Sequence, residues 1–503
     1  MRTEISQTRP PNSYFSVHIF LSAPSSSPNC SFQILLVRYV AIPLLIVAAF
    51  AQFTSAADFQ AGVAVVDITP PPGFRMSGYF SERLNTGTHD PLAAKAVVFR
   101  QGNEQAALVF CDLIGIARSV TGKARELAAQ KTGIPAANIL IHGTHSHTGP
   151  LYDGALRKHF HDQAVAKNGR DPVETIDYPE FLVLRLVEAI SQAHSAAQPV
   201  TVLAGITPQR GLSFNRRFHM KDGSVRFNPG KLNPDIIRPA GPVDNDLALV
   251  VLQSAATRQN VAGLTVFALH LDTVGGTEYS ADYPFYLERT LRKGLGNQFV
   301  SLFGNGPCGD INHVDVTNQL PQKGHEEAAR IGTTLAETVT GAIPMLKPLA
   351  APKLAIRSAT VDVPIQQYSP EEIAQAKLDI FKVGTSQLSF LDQVKATKIN
   401  NLQLRSPSVL PIEVQVFRLS DDLAIVGLPG EVFVDLGLAI KRGSPFARTL
   451  VIELCNDNPA YIPTKKAFVE GSYETVNSLI QPGGGESMVE TSLRLLKEIK
   501  LTE

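Results

Sequence analysis

The chain has 503 residues and a balanced charge, with 46 Lys and Arg residues against 46 Asp and Glu. No basic stripe is visible, which argues against a nucleic-acid-binding protein. Tryptophan is absent and aromatic residues make up only 7%, which argues against a carbohydrate binder that stacks sugars on aromatic rings.

An apolar stretch near the N-terminus, residues 39–56, follows Arg38 and ends in small residues. This pattern predicts that residues 1–57 contain a cleaved signal peptide, and hence a secreted or periplasmic protein. An uncleaved N-terminal anchor is the alternative. The segment before Arg38 is unusually long for the start of a signal peptide, which suggests that translation truly starts near residue 38. Residues 58–503 are predicted to form one domain.

Strand-like and helix-like segments alternate after residue 58. The predicted strands are Gly62–Val66, Ala106–Cys111, Ile139–Ile141, Val200–Leu203, Leu247–Leu252, Leu264–Leu269, Phe299–Phe303, Val414–Leu419 and Leu423–Gly427. The predicted helices are Ala117–Lys131, Tyr178–Ala196, Pro284–Lys293, Glu326–Gly341 and Pro370–Lys382, with a final helix after residue 486. The alternation predicts an α+β fold, a large mixed-sheet domain flanked by helices. The Pro/Ala-rich segment 346–363 is predicted to connect two lobes.

Three cysteines lie beyond the leader, Cys111, Cys308 and Cys455, and no two of them have CxxC spacing. Neither a disulfide framework nor a thiolate zinc site is therefore indicated.

Three histidines, His142, His145 and His147, follow the buried strand 139–141 and precede a Gly-Pro stop. In extended backbone, side chains two residues apart point to the same side, so His145 and His147 would face one pocket. Imidazoles placed in this way favour a metal or catalytic site. Loop histidines with satisfied hydrogen bonds are the alternative.

Polar residues also follow three other apolar runs: His270 after 264–269, the segment 304–313 after 299–303, and Glu431 after 423–426. Loops at strand ends are where α/β proteins place functional groups. The pattern therefore predicts an active site at the strand ends.

Several motifs together carry a family resemblance. In chain order they are Gly62–Pro70 (GVAVVDITP), Thr144–Pro150 (THSHTGP), Asn215-Arg216, Phe267–His270 (FALH), Gly309–Ile311 (GDI), Leu428–Glu431 (LPGE) and Tyr461. The chain resembles the neutral/alkaline non-lysosomal ceramidase family over about residues 58–475.

The resemblance implies a Zn²⁺ ion held by His145, His270, Glu431 and Tyr461, with Tyr473 as the alternative to Tyr461. Two imidazoles, a carboxylate and a phenolate oxygen suit zinc, and an open position would hold water. Zinc lowers the pKa of such a water toward about 7.

Three further residues receive roles. His147 is predicted to carry a proton or to donate to the developing oxyanion. Arg216 is predicted to bind a polar group of the substrate, with a surface charge as the alternative. Asn312 stands where the family carries a catalytically important serine; an amide cannot act as nucleophile, but it can hydrogen-bond a carbonyl or water. A second departure is expected at the C-terminus, where no room remains for the family's immunoglobulin-like domain.

The sequence therefore predicts an exported zinc-dependent amidohydrolase that cleaves the N-acyl amide of ceramide or a related N-acyl lipid. A peripheral membrane contact would give access to such a substrate. One alternative is a zinc hydrolase of another N-acyl amine or of an ester. The other is a homologue that binds a ligand without turnover, which the missing serine motivates.

Overall fold

The computed structural model describes residues 59–405 and 408–502. The predicted signal peptide and its cleavage site lie outside these residues. The domain boundary at residue 58 stays a prediction.

Twenty-two strands are present in the described part of the chain. They are β1 (Gln60–Asp67), β2 (Gly87–Thr88), β3 (Ala93–Gln101), β4 (Glu104–Cys111), β5 (Ile139–Gly143), β6 (Gln198–Pro208), β7 (Phe214–Asn215), β8 (Arg217–Met220), β9 (Val225–Phe227), β10 (Ile236–Pro239), β11 (Asp246–Ser254), β12 (Asn260–Phe267), β13 (Glu278–Tyr279), β14 (Val300–Asn305), β15 (Ile311–Asn312), β16 (Lys347–Pro348), β17 (Ala355–Pro364), β18 (Val409–Arg418), β19 (Leu423–Gly427), β20 (Glu431–Val432), β21 (Arg448–Ile452) and β22 (Tyr461–Ile462).

Eleven α-helices lie between these strands. They are α1 (Arg118–Thr132), α2 (Gly154–Asn168), α3 (Tyr178–Ser195), α4 (Tyr283–Leu295), α5 (Gly324–Ala342), α6 (Pro370–Asp379), α7 (Phe390–Gln403), α8 (Val434–Gly443), α9 (Lys465–Glu470), α10 (Tyr473–Val476) and α11 (Gly484–Lys500). Within residues 59–405 and 408–502, none of the helices combines the length and the apolar character needed to cross a bilayer.

Two mixed sheets form the framework. The larger has the order β14-β12-β11-β6-β1-β3-β4-β5, with β16 added beside β6, and the smaller has the order β17-β18-β19-β21. Most neighbours are antiparallel, but β4–β5, β12–β14 and β19–β21 are parallel. Strands buried on both faces read as continuous apolar runs, as Ala106–Cys111 in β4 does.

Apolar side chains pack these sheets and helices into successive layers. Helices α1 and α3 cover one face of the large sheet, with Leu182 and Ile190 among the buried residues. The opposite face packs against the small sheet, in a core that includes Phe417 and Ile425. Helices α8 and α11 then cover the far face of the small sheet. The fold is therefore an α/β/β/α arrangement, and the predicted α+β class with a large mixed sheet is confirmed.

One sequence-based expectation about the fold is wrong. Residues 355–363 of the predicted connector lie in β17, which pairs with β18 over ten residues. The β-branched residues Ile356, Val361 and Val363 within the Pro/Ala-rich segment favour this strand. The segment therefore belongs to the small sheet.

The parallel strands bring several chain segments to one edge of the structure. Although β5 and β14 end the path of the large sheet, the N–H of Asn305 in β14 donates to His142 Nε2 in β5 at 3.1 Å. The sheet therefore curves enough for the loops after β5, β12, β14, β19 and β21 to meet.

Candidate active site

The first histidine of the cluster, His142, has a structural role within β5. Its Nδ1 lies 2.7 Å from the carbonyl of Glu453, and its Nε2 accepts the N–H of Asn305. Burial lowers the pKa of His142 to about 3, so the ring stays neutral. Both ring nitrogens are used within the protein, and His142 is not available to a ligand.

His145 turns into the site on a left-handed backbone, with φ = 78°. Its N–H donates to Leu113 O, and its Nδ1 lies 2.7 Å from Ile114 O. The extended backbone expected for this segment is therefore wrong, because the loop folds back against residues 113–114. The two side chains nevertheless face one pocket, as expected. The rings of His145 and His147 are 4.9 Å apart, and their Nε2 atoms are 3.3 Å apart.

His270 meets these rings from the loop after β12. Its Nε2 lies 2.9 Å from His145 Nε2, and its Nδ1 lies 3.3 Å from Cys308 O. Its side chain is fully buried. The two histidines are 125 positions apart in sequence, and the curved sheet brings them together.

Glu431 and Tyr461 reach the site on a two-stranded parallel ladder. They are direct register partners in β20 and β22. Glu431 Oε2 lies 3.3 Å from His145 Nε2 and 3.6 Å from His270 Nε2. The ladder places Tyr461 beside the carboxylate, and its assignment as a zinc ligand stays a prediction. Tyr473 lies beside Tyr461, with its ring 5.4 Å from that of Tyr461.

The arrangement of donors and acceptors fits a bound cation. A carbonyl at Nδ1 of both His145 and His270 keeps the ring proton there, so both Nε2 lone pairs point into the cluster. Glu431 Oε2 is buried there and has no hydrogen-bond partner among the described residues. The three atoms His145 Nε2, His270 Nε2 and Glu431 Oε2 thus lie within 3.6 Å of one another, each with a free lone pair. A positive ion between them would stabilise this arrangement.

His147 lies in the same cluster, within 4.8 Å of the donor atoms of His145 and His270. Burial lowers the pKa of His147 to about 4. A neutral imidazole facing the pocket can accept a proton. Its assignment as a proton carrier and not a ligand stays a prediction.

Arg216 is buried behind the cluster, so the alternative that it is a surface charge is wrong. Its Nη2 donates to Tyr461 Oη (3.0 Å) and to Gly309 O (2.7 Å), and its Nη1 lies 3.3 Å from His270 Nε2. Its Nε donates to Glu474 Oε1 at 3.0 Å. The guanidinium thereby positions Tyr461. A direct contact with substrate stays a prediction.

Glu474 was missed in the sequence. Its carboxylate is fully buried between Arg216 and Arg217, whose Nη1 donates at 2.8 Å. The only available signal was its position next to Tyr473.

Asn312 is buried in β15, and both ends of its amide are used. Its Nδ2 donates to Asn228 Oδ1 and its Oδ1 accepts the N–H of Val314, both at 3.0 Å. The side chain is not among those that line the pocket. Its predicted role in assisting the reaction stays a prediction.

A pocket of about 460 Å³ opens in front of the cluster. His145, His147, Glu431, Tyr461 and Tyr473 form part of its wall. Apolar side chains from four other segments also line it: Tyr79, Phe80, Leu151, Tyr152, Leu156, Leu404 and Leu479. The volume is within the range of about 300–1,000 Å³ that is usual for small-molecule sites.

Comparison with known proteins agrees with the motifs. Residues 59–312 match the family model of the N-terminal part of neutral/alkaline non-lysosomal ceramidases. Neutral ceramidase B of Dictyostelium discoideum is 25% identical over 282 residues, which cover 51% of this chain and 35% of that protein. The chain thus spans about a third of the length of this curated relative.

Two solved structures share the fold. The crystal structure of neutral ceramidase from Pseudomonas aeruginosa superimposes with a TM-score of 0.67 and 20% identity, covering 88% of this chain and 75% of that chain. A ceramidase complexed with C2 has a TM-score of 0.67 and 17% identity, with the same coverage of both chains. Since the family model matches about half of the 503 residues, the chain belongs to the neutral/alkaline non-lysosomal ceramidase family.

Proposed function

We propose that the protein is an exported, zinc-dependent amidohydrolase that cleaves the N-acyl amide bond of ceramide or a related N-acyl lipid. The observation that carries this proposal is the convergence of His145 Nε2, His270 Nε2 and Glu431 Oε2 at the wall of a pocket. Family membership supports the same reaction class.

His145, His270, Glu431 and Tyr461 would hold the zinc ion. When bound, zinc supplies a Lewis acid that polarises a carbonyl and lowers the pKa of water. Arg216 keeps the Tyr461 hydroxyl directed at the cluster through its 3.0 Å hydrogen bond.

Amide hydrolysis requires a proton to leave the attacking water and a proton to reach the departing amine. His147 lines the pocket and its ring is neutral, so it can take the first proton and return it to the amine nitrogen. The apolar wall formed by residues such as Phe80, Leu156 and Leu404 would hold the hydrocarbon part of the substrate.

The test of this function is metal analysis of purified protein together with hydrolysis of a panel of ceramides, other N-acyl amines and esters. We expect about one zinc ion per chain and turnover of at least one N-acyl lipid. A zinc-loaded protein that hydrolyses no member of the panel would favour the ligand-binding alternative. Preference for a non-lipid amine or an ester would favour the alternative of a zinc hydrolase with another substrate.

Export is proposed from the apolar segment 39–56 alone. N-terminal sequencing of the protein recovered outside the cytoplasm would test it. A mature N-terminus near residue 58 is expected, whereas an intact N-terminus in the membrane fraction would indicate the anchor.

A peripheral membrane contact is proposed at the mouth of the pocket. Five large apolar side chains of helices α6 and α7 and their ends are exposed to solvent: Leu378, Phe381, Phe390, Leu391 and Leu404. The ring of Phe390 packs 5.9 Å from that of Phe80, which lines the pocket. A bilayer surface would cover these apolar side chains and bring lipid substrate to the pocket.

We expect the double variant Phe381→Ser/Phe390→Ser to bind phosphatidylcholine vesicles more weakly in co-sedimentation, because two exposed aromatic rings are lost. Its hydrolysis of vesicle-borne substrate should fall, while hydrolysis of a soluble short-chain substrate should persist. Met345→Ser, at an even more exposed apolar residue on another segment, is the control. Equal vesicle binding by the double variant and the wild type would refute this contact.

A further inference from the structure

Glu453 is a buried carboxyl group that lies beside the cluster and has no part in the chemistry described above. We propose that it is a positioning residue. It holds Glu431 in place through the backbone of Val432, and His270 through the backbone of Cys308. The inference rests on the proposed function in one respect, namely that these residues bind zinc.

Glu453 directly follows β21, on the edge where the functional loops meet. Its side chain is completely buried. Its backbone N–H donates to Asn305 O at 3.0 Å, and its carbonyl lies 2.7 Å from His142 Nδ1. The backbone of Glu453 is thus fixed to the ends of β14 and β5, so its carboxyl group has a defined direction.

The first link runs to the strand that carries Glu431. Glu453 Oε2 accepts the N–H of Val432 at 2.6 Å. Val432 follows Glu431 in the two-residue strand β20, and its carbonyl accepts the N–H of Gly309 at 2.9 Å. A strand this short has few hydrogen bonds, so the Glu453 bond contributes strongly to the position of the Glu431 carboxylate.

The second link runs to the group that orients His270. Glu453 Oε2 also accepts the N–H of Cys308 at 3.2 Å, and Cys308 Sγ lies 3.0 Å from Oε1. The carbonyl of Cys308 is in turn 3.3 Å from His270 Nδ1. Such a carbonyl fixes the tautomer that leaves Nε2 free for a metal. The single oxygen Oε2 therefore binds the backbone next to Glu431 and the backbone that orients His270.

The role needs an acceptor oxygen and not a negative charge. Burial raises the pKa of Glu453 to about 8, and both bonds to its Oε2 are donated by backbone N–H groups. Glutamine can place its amide oxygen where Oε2 accepts both N–H groups. Methionine has a similar volume and provides no such acceptor, so the two substitutions separate hydrogen bonding from packing.

The experiment compares zinc binding by Glu453→Met and Glu453→Gln, measured by competition with a chromophoric chelator. Loss of groups that orient metal ligands typically weakens metal affinity by about 10–100-fold, and we expect Glu453→Met to fall in this range. Glu453→Gln should bind zinc nearly as tightly as the wild type. Leu186→Ala, a cavity variant in α3, should lower the melting temperature without changing zinc affinity.

Unchanged zinc affinity in a folded Glu453→Met protein would overturn the inference. A Glu453→Gln protein that binds zinc about tenfold more weakly would also overturn the inference. An acceptor oxygen at this position would then not be sufficient to hold the zinc ligands. If Glu453→Met does not fold, the zinc affinity of Glu453→Gln, compared with that of the wild type, decides instead. A wild-type protein that binds no zinc would instead refute the proposed function.

Discussion

Replacing Glu431 by alanine should remove the bound zinc and abolish hydrolysis. The carboxylate faces the Nε2 atoms of His145 and His270 at 3.3 and 3.6 Å, and it is the only carboxylate among the four proposed ligands. Without it, the ion would lose both a ligand and the negative charge that offsets its own. Zinc content per chain by mass spectrometry and turnover of an N-acyl lipid are the measurements.

The matched control is Glu327→Ala, because Glu327 is also a buried glutamate but lies in α5, away from the pocket. This control should keep both its zinc and its turnover. A Glu431→Ala protein that retains stoichiometric zinc and normal turnover would contradict the assignment of Glu431 as a ligand.

The strands and helices that could be predicted from the sequence are those with long, regular patterns. The segment Leu423–Gly427 was predicted with the bounds that β19 has, because the run Leu-Ala-Ile-Val-Gly precedes a Leu-Pro-Gly stop. By contrast, β20 and β22 have two residues each, too few for any periodicity. Yet their pairing sets the register that brings Tyr461 beside Glu431. Such short ladders depend on tertiary contacts and could not be predicted.

The candidate site residues could be named from motifs, but their surroundings could not. Arg216 is a charged residue in a polar segment, and a surface location was a reasonable alternative. It is buried because Glu474, 258 positions later, neutralises it. A pairing over this distance leaves no local pattern in a single sequence.

The backbone of the histidine loop shows the same limit. Alternating residues after a strand suggest extended backbone, but His145 adopts φ = 78°. The strand before the loop ends at Gly143, where an added Cβ would lie 2.9 Å from Gly115 Cα. A close approach between two backbone segments requires this glycine, and only the folded structure reveals the approach.

Replacing His147 by alanine should slow hydrolysis by roughly 10²–10⁴-fold, the usual contribution of a general acid–base group. Zinc should remain bound, because His145, His270, Glu431 and Tyr461 provide a complete four-ligand set without it. The measurements are turnover and zinc content of the same preparation.

Addition of free imidazole provides a separate test of the role of His147. The alanine variant leaves a space in the pocket wall, where a small imidazole could carry the proton in place of the missing ring. Partial recovery of turnover, with zinc content unchanged throughout, is the expected result. Loss of zinc in the variant would mean that His147, whose Nε2 is 3.3 Å from that of His145, is itself a ligand. In that case the proton must be carried by another group, and the assignment of ligand and proton carrier in this pocket would be reversed.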